Sequence, residues 1–234
     1  MLAIRGLIAG YQDAGVVLEG VDLDVGAGES VALMGRNGMG KSTLLRAIMG
    51  HVRPTAGQVS FAGLDLTGRP PFAVSQAGIA FVPQGREIFA GFTVEENLLL
   101  GLLGKHGMPA RVPEAIYRRF PILAERRAQP AGTMSGGEQQ QLAIARAIIS
   151  RPRLLLLDEP SEGIQPSIVA SIAATVSAIS TEEGMSVLLV EQNLDLVLAV
   201  TTRCLFIENG RIVDQTESAR LRDDSALLDR YLSV

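Results

Sequence analysis

The segment Gly35-Arg36-Asn37-Gly38-Met39-Gly40-Lys41-Ser42-Thr43 constrains this chain more than any other. It has the spacing G-x-x-x-x-G-K-[ST], in which glycines let the backbone turn so that successive N–H groups can surround phosphate oxygens. The apolar run Ser30–Met34 comes just before it and reads as a strand buried on both faces, as in a parallel sheet. A helix is expected from Lys41 to Met49, closed by Gly50, with its positive end aimed at the same anion. In this arrangement Lys41 neutralises the outer phosphates and the Ser42 hydroxyl binds Mg²⁺.

A second acidic feature follows at Leu154-Leu-Leu-Leu-Asp158-Glu159-Pro160, where two carboxylates end an apolar strand. The carboxyl ends of parallel strands are where ligands bind in such sheets. Asp158 can hold Mg²⁺ through water, while Glu159 can polarise a water that attacks a terminal phosphate. The two features together describe a nucleotide hydrolase.

Further elements are legible at coarser grain. Strands are expected at Gly57–Ala62, Gly78–Pro83 and Ser186–Val190, and a helix at Pro166–Ser180. Glu208-Asn-Gly-Arg211 between the apolar runs of Cys204–Val213 signals a hairpin. Residues from about 95 to 149 read as helical, with breaks at 104–113 and 130–133, and a last helix is expected from Thr216 to Tyr231. The order is an α/β core, a helical insertion, and the core resumed.

Composition narrows the class. The chain has 234 residues, 47% of them hydrophobic, enough for a core without staples. Its single cysteine and two histidines exclude a disulfide framework and argue against a zinc centre. A net charge of −4 argues against a nucleic-acid clamp. The start lacks a signal-peptide core, and no apolar stretch reaches the ~18 residues that span a bilayer. The chain is therefore expected to remain cytoplasmic, attached to a membrane only through a partner.

One further motif selects a family. Met134-Ser135-Gly136-Gly137-Glu138-Gln139 opens an amphipathic run to Ile149, and Ser135 with Glu138 forms an S-x-x-E capping box. Two side-chain-free positions beside the first N–H groups make a second anion-binding helix terminus. Here the chain resembles the ATP-binding subunit of ABC transporters over essentially its whole length. The resemblance implies one domain across 1–234, with a P-loop NTPase (RecA-like) α/β core at about 1–90 and 150–215. It also implies an antiparallel β subdomain, a helical subdomain at about 91–149 carrying the signature, and a C-terminal helix at about 216–232.

The same resemblance assigns roles. Gly35, Arg36, Asn37, Gly38, Met39, Gly40, Lys41, Ser42 and Thr43 bind ATP, and Tyr11 stacks on adenine. Ser42, Gln84 and Asp158 hold Mg²⁺. Glu159, Gln84 and Gln192 form the catalytic set. Ser135, Gly136, Gly137, Glu138 and Gln139 contact the nucleotide of a second ATPase chain, identical or different, in a head-to-tail dimer. The implied partners are that second chain, two transmembrane permease subunits and, indirectly, a solute-binding protein. The implied location is the cytoplasmic face of the inner membrane.

Two positions depart from the family's pattern. Gln192, in Val190-Glu-Gln-Asn193, stands where most members have a histidine; glutamine donates a hydrogen bond but carries no imidazolium charge. Gln165 replaces the usual aspartate of the dimer-contacting loop. Pro83–Phe89, Thr93–Asn97 and Val190–Asn193 are similar to ATPases of importers for branched-chain amino acids, amides and urea. Glu162-Gly-Ile-Gln-Pro-Ser167 and Gln139–Arg146 look closest to the urea branch. The expected function is therefore ATP hydrolysis powering uptake of urea or short amides. A branched-chain amino acid importer is the alternative, and a soluble ABC protein of repair or translation is the remaining one. The chain lacks the long coiled coils and second cassette of those soluble proteins, and the base-reading N-K-x-D of a GTPase.

Overall fold

Alternation, not mere apolarity, explains the central strands. The computed structural model describes residues 1–13, 15–103 and 111–232. Its strands are β1 (Leu2–Tyr11), β2 (Gly15–Val25), β3 (Ser30–Met34), β4 (Pro54–Phe61), β5 (Leu64–Asp65), β6 (Ile79–Val82), β7 (Leu154–Asp158), β8 (Ser186–Val190), β9 (Arg203–Glu208) and β10 (Arg211–Glu217). The helices are α1 (Lys41–Ile48), α2 (Pro71–Gln76), α3 (Val94–Leu100), α4 (Glu114–Arg119), α5 (Pro121–Glu125), α6 (Gly136–Ile148), α7 (Pro166–Glu183), α8 (Leu194–Val200) and α9 (Ser225–Leu232).

Six strands form a sheet in the order β10-β9-β3-β8-β7-β6, parallel except for the β9–β10 hairpin. Every residue of β3, β7 and β8 is buried. Successive side chains alternate between two cores. Ala32, Leu155, Leu157, Val187 and Leu189 join the cluster that includes α6, α7 and α8. Val31, Leu33, Leu154, Leu156 and Leu188 join the cluster that includes α1 and the N-terminal strands. Four strands form a separate antiparallel sheet, β2-β1-β4-β5.

The N-terminal hairpin β1–β2 is not evident in the sequence, because its apolar alternation is interrupted. Register shifts at Ile4/Leu7, Leu7/Ile8 and Ala9/Gly10 slip the period by which a strand is recognised. The short helix α2 is likewise unmarked in the sequence. The helix expected from Thr216 to Tyr231 is corrected. Thr216 and Glu217 continue the hairpin opposite Cys204 and Arg203, Ser218–Arg222 forms a 3₁₀ turn, and the helix begins at Ser225. The buried Ser218 hydroxyl shares a 2.8 Å hydrogen bond with that of Thr201, so the chain turns there instead of coiling on. The expected break at 104–113 falls largely outside the described residues. The break at 130–133 is the 3₁₀ turn Ala131–Thr133.

Among the described residues, no helix is long and apolar enough to cross a membrane.

Candidate functional site

Neighbouring parallel strands β3, β8, β7 and β6 end side by side, and the residues that follow them line one cleft or brace it from behind. From β3 comes the loop Gly35–Gly40, from β6 Gln84, from β7 Asp158 and Glu159, and from β8 Glu191 and Gln192. Residues far apart in sequence meet because parallel strands share their carboxyl edge. Val17, Asn37, Gly38, Gly40, Lys41 and Ser42 line a cleft of about 270 Å³, together with Thr43, Gln84, Glu159 and Glu162.

The loop conformation demands glycine at Gly40. Its φ of 104° lies in the left-handed region, and a Cβ there would stand 3.0 Å from Leu18 Cδ2. Lys41 begins α1, and only 4% of it is exposed. Its ammonium donates to the Gly35 carbonyl at 2.7 Å and the Arg36 carbonyl at 3.0 Å, and lies 3.7 Å from Glu159 Oε1. Burial pulls the Lys41 pKa below its usual value, opposed by Glu159 and Asp158. Gln192 Nε2 donates to Asn37 Oδ1 at 2.8 Å and so ties the end of β8 to the phosphate loop.

Asp158 is almost fully buried, and its Oδ1 accepts from Ser42 Oγ at 3.1 Å. Its other oxygen, Oδ2, is buried and accepts no hydrogen bond among the described residues. Two hard oxygen donors with one orphaned carboxylate oxygen suit a small divalent cation. Burial raises the Asp158 carboxyl to about 6, with Ser42 opposing and Glu159 adding to the rise. The folded chain thus binds this proton more tightly than the unfolded chain does. Its contribution to stability falls as pH rises from about 4 toward 6 and is flat above that. Asp158→Asn is expected to remove that slope and to raise the melting temperature of the metal-free protein at pH 7.5 by about 2–4 °C. Thermal melts of both proteins from pH 4.5 to 7.5 check this; parallel curves would rule it out.

Glu159 adopts φ 46°, a left-handed backbone that a non-glycine residue holds only under constraint. Its N–H donates to the Val190 carbonyl at 2.8 Å, which fixes the turn that carries its carboxylate into the cleft. Glu191, whose role the sequence did not reveal, is buried and accepts from the N–H groups of Ser161, Gln192 and Asn193 at 3.2, 2.7 and 2.9 Å. It aligns the segments after β7 and β8. An acid one residue beyond an apolar strand was the only available signal.

The signature lies apart from this cleft. Ser135 caps α6 as the S-x-x-E spacing predicts: its N–H donates to Glu138 Oε2 at 2.8 Å, and its Oγ accepts from the Glu138 N–H at 3.4 Å. Gln139 Nε2 donates to the Met134 carbonyl at 3.0 Å. Gly137 has no room for a side chain, because a Cβ would overlap Ile168 of α7. None of residues 135–139 lines the phosphate cleft of its own chain. Tyr11 ends β1 and lines a different, larger cleft of about 690 Å³ with Arg46, His51, Phe81, Phe89 and Arg146.

Asn97 supports the segment that joins Gln84 to the helices. Fully buried, it accepts from the Phe89 N–H at 2.9 Å and donates to the Phe89, Thr93 and Phe92 carbonyls at 2.9, 3.0 and 3.4 Å. Asn97→Ala strands these backbone groups and is expected to cost about 2 kcal/mol, or ~4–8 °C in a thermal melt.

Comparison with known proteins agrees with this geometry. The sequence model of the family described as ABC transporter matches residues 18–162. The chain is 43% identical to the high-affinity branched-chain amino acid transport ATP-binding protein BraG of Pseudomonas aeruginosa, over 92% of each chain. It is 35% identical to the probable branched-chain amino acid transport ATP-binding protein LivF of Archaeoglobus fulgidus, over 91% of this chain and 90% of that one. A solved ATP-binding subunit of an ABC transporter superposes with a TM-score of 0.82 at 28% identity, covering 97% of this chain and 94% of the other. The chain belongs to the ABC transporter family, as one of its ATP-binding cassette ATPases.

Proposed function

We propose that this chain is the ATPase of an importer of branched-chain amino acids. The observation that carries this reading is its similarity over about nine-tenths of its length to two proteins named for that transport, at 43% and 35% identity. This moves the substrate away from the urea or short amides expected from the loops alone. Two short segments weigh less than similarity along the whole chain. Urea stays as the second reading because of Glu162-Gly-Ile-Gln-Pro-Ser167.

In the proposed mechanism the Gly35–Thr43 loop and Lys41 hold the phosphates of ATP. Ser42, Gln84 and Asp158 would hold Mg²⁺, which would supply charge neutralisation for the transferred phosphate. Glu159 takes the proton of the attacking water, and Gln192 steadies the phosphate loop through Asn37. Ser135–Gln139 serve the nucleotide of a second cassette chain, which fits their position outside this chain's own cleft. One of the two permease subunits is proposed to seat in the larger cleft, which Phe89 and Leu103, 51% and 71% exposed, line with Arg46 and Arg146, and the other on the second cassette chain. That attachment would put the chain at the cytoplasmic membrane face.

Uptake of labelled leucine, urea and acetamide tests the reading, in cells lacking this chain and rescued by wild type or Glu159→Gln. Leucine uptake restored by wild type alone is the expected result. Restored urea uptake would return the substrate to the second reading, and no change in any uptake would sink the importer assignment.

A further inference from the structure

Glu162 is an acid in a cleft that otherwise suits anions, lying beside Lys41, Ser42 and Glu159. A carboxylate there opposes the approach of a polyanion, yet its contacts are specific. Gln84 Nε2 donates to Glu162 Oε2 at 2.9 Å and to Glu159 Oε2 at 3.4 Å. A carboxamide nitrogen has two hydrogens, enough to serve both carboxylates. Two carboxylates demand the nitrogen on their side, which leaves the Gln84 carbonyl oxygen as the acceptor facing elsewhere. The backbone reinforces the link, because Arg86 Nη2 donates to the Glu162 carbonyl at 3.4 Å. From the opposite side, Arg146 donates to the Glu87 carbonyl at 2.8 Å and the Arg86 carbonyl at 3.4 Å. Arg86 and Glu87 hold left-handed φ values of 72° and 45°, so these contacts fix a turn that would otherwise relax.

We propose that Glu162 is a positioning residue for Gln84, fixing which face of its carboxamide serves the phosphate cleft. This rests on the reading of that cleft as the ATP site. Glu162 does not itself touch the reacting atoms. It acts by removing the freedom of an exposed amide to rotate, so its loss lowers the rate of hydrolysis and not the affinity for ATP.

The test is single-turnover hydrolysis of ATP with magnesium by the full chain, alongside ATP binding by calorimetry. Glu162→Ala is expected to lower the rate by about three- to tenfold, with ATP bound as tightly as by wild type or more so. Glu162→Gln keeps an oxygen acceptor for Gln84 Nε2 and is expected to recover most of the rate. In a Gln84→Ala background, Glu162→Ala should change the rate no further. Equal losses in both backgrounds, or Gln behaving like Ala, would overturn positioning through Gln84; so would an unchanged rate in Glu162→Ala. A wild-type chain that neither binds nor hydrolyses ATP would instead overturn the underlying reading of the cleft.

Discussion

Lys41→Ala is expected to reduce ATP affinity by about 30-fold to more than 1,000-fold, the ~2–5 kcal/mol typical of deleting one partner of a buried charge pair. The argument is geometric as well as electrostatic. Lys41 is held by the carbonyls of Gly35 and Arg36, so its ammonium is placed before any phosphate arrives. Little ordering remains to be done on binding, and most of its Coulomb attraction becomes affinity. Its 3.7 Å contact with Glu159 also keeps the acid from repelling the incoming anion. Alanine removes both effects and leaves Glu159 uncompensated. Calorimetric titration with ATP measures the loss, and a thermal melt separates it from unfolding. Wild-type affinity in a folded Lys41→Ala protein would remove the phosphates from this loop.

Glu159→Gln is expected to slow hydrolysis by about 10²- to 10⁴-fold, the usual span for loss of a general base. ATP binding should persist or tighten, since the cleft loses a negative charge. The carboxamide is nearly isosteric and can keep a contact with Lys41, so a folding defect is not expected. The left-handed turn at Glu159 is set by the backbone bond to Val190, which the substitution leaves intact. The separation of binding from turnover makes the result specific. Unchanged single-turnover rates would assign the base to another group.

The substrate is where sequence and comparison diverge most. Short loop motifs pointed to urea, while likeness along the chain points to branched-chain amino acids. In Gln139–Arg146 the residues Gln140 and Leu142–Ala145 are set by their burial in α6, while Glu162–Ser167 is largely exposed and carries little constraint from packing, so it drifts freely. The buried faces of β3, β7 and β8, by contrast, are held by two cores at once.

Much of the molecule was legible in its sequence because local physics and global position coincide there. β3 and β8 fall at the residues their apolar runs mark, since a strand covered on both faces has no polar position to blur its ends. The capping box at Ser135 is equally local, needing only residues three apart. Asn209-Gly210, with φ values of 47° and 72°, turns the β9–β10 hairpin as the dipeptide dictates.

The sequence by itself thus determined the phosphate loop, the acidic pair, the capped signature helix and the double-faced strands between them. Each rests on interactions among residues a few positions apart. Only the tertiary structure decided that Gln84, Glu159 and Glu162 share hydrogen bonds, that Gln192 reaches Asn37, and that Glu191 gathers three N–H groups. It also decided that Tyr11 lines a different cleft and that the signature residues do not line the phosphate cleft. Those outcomes depend on strand order, and β3, β8, β7 and β6 become neighbours only when long connections close around a common core. No local pattern encodes that neighbourhood, because the free energy that fixes it comes from burying both faces of the sheet at once.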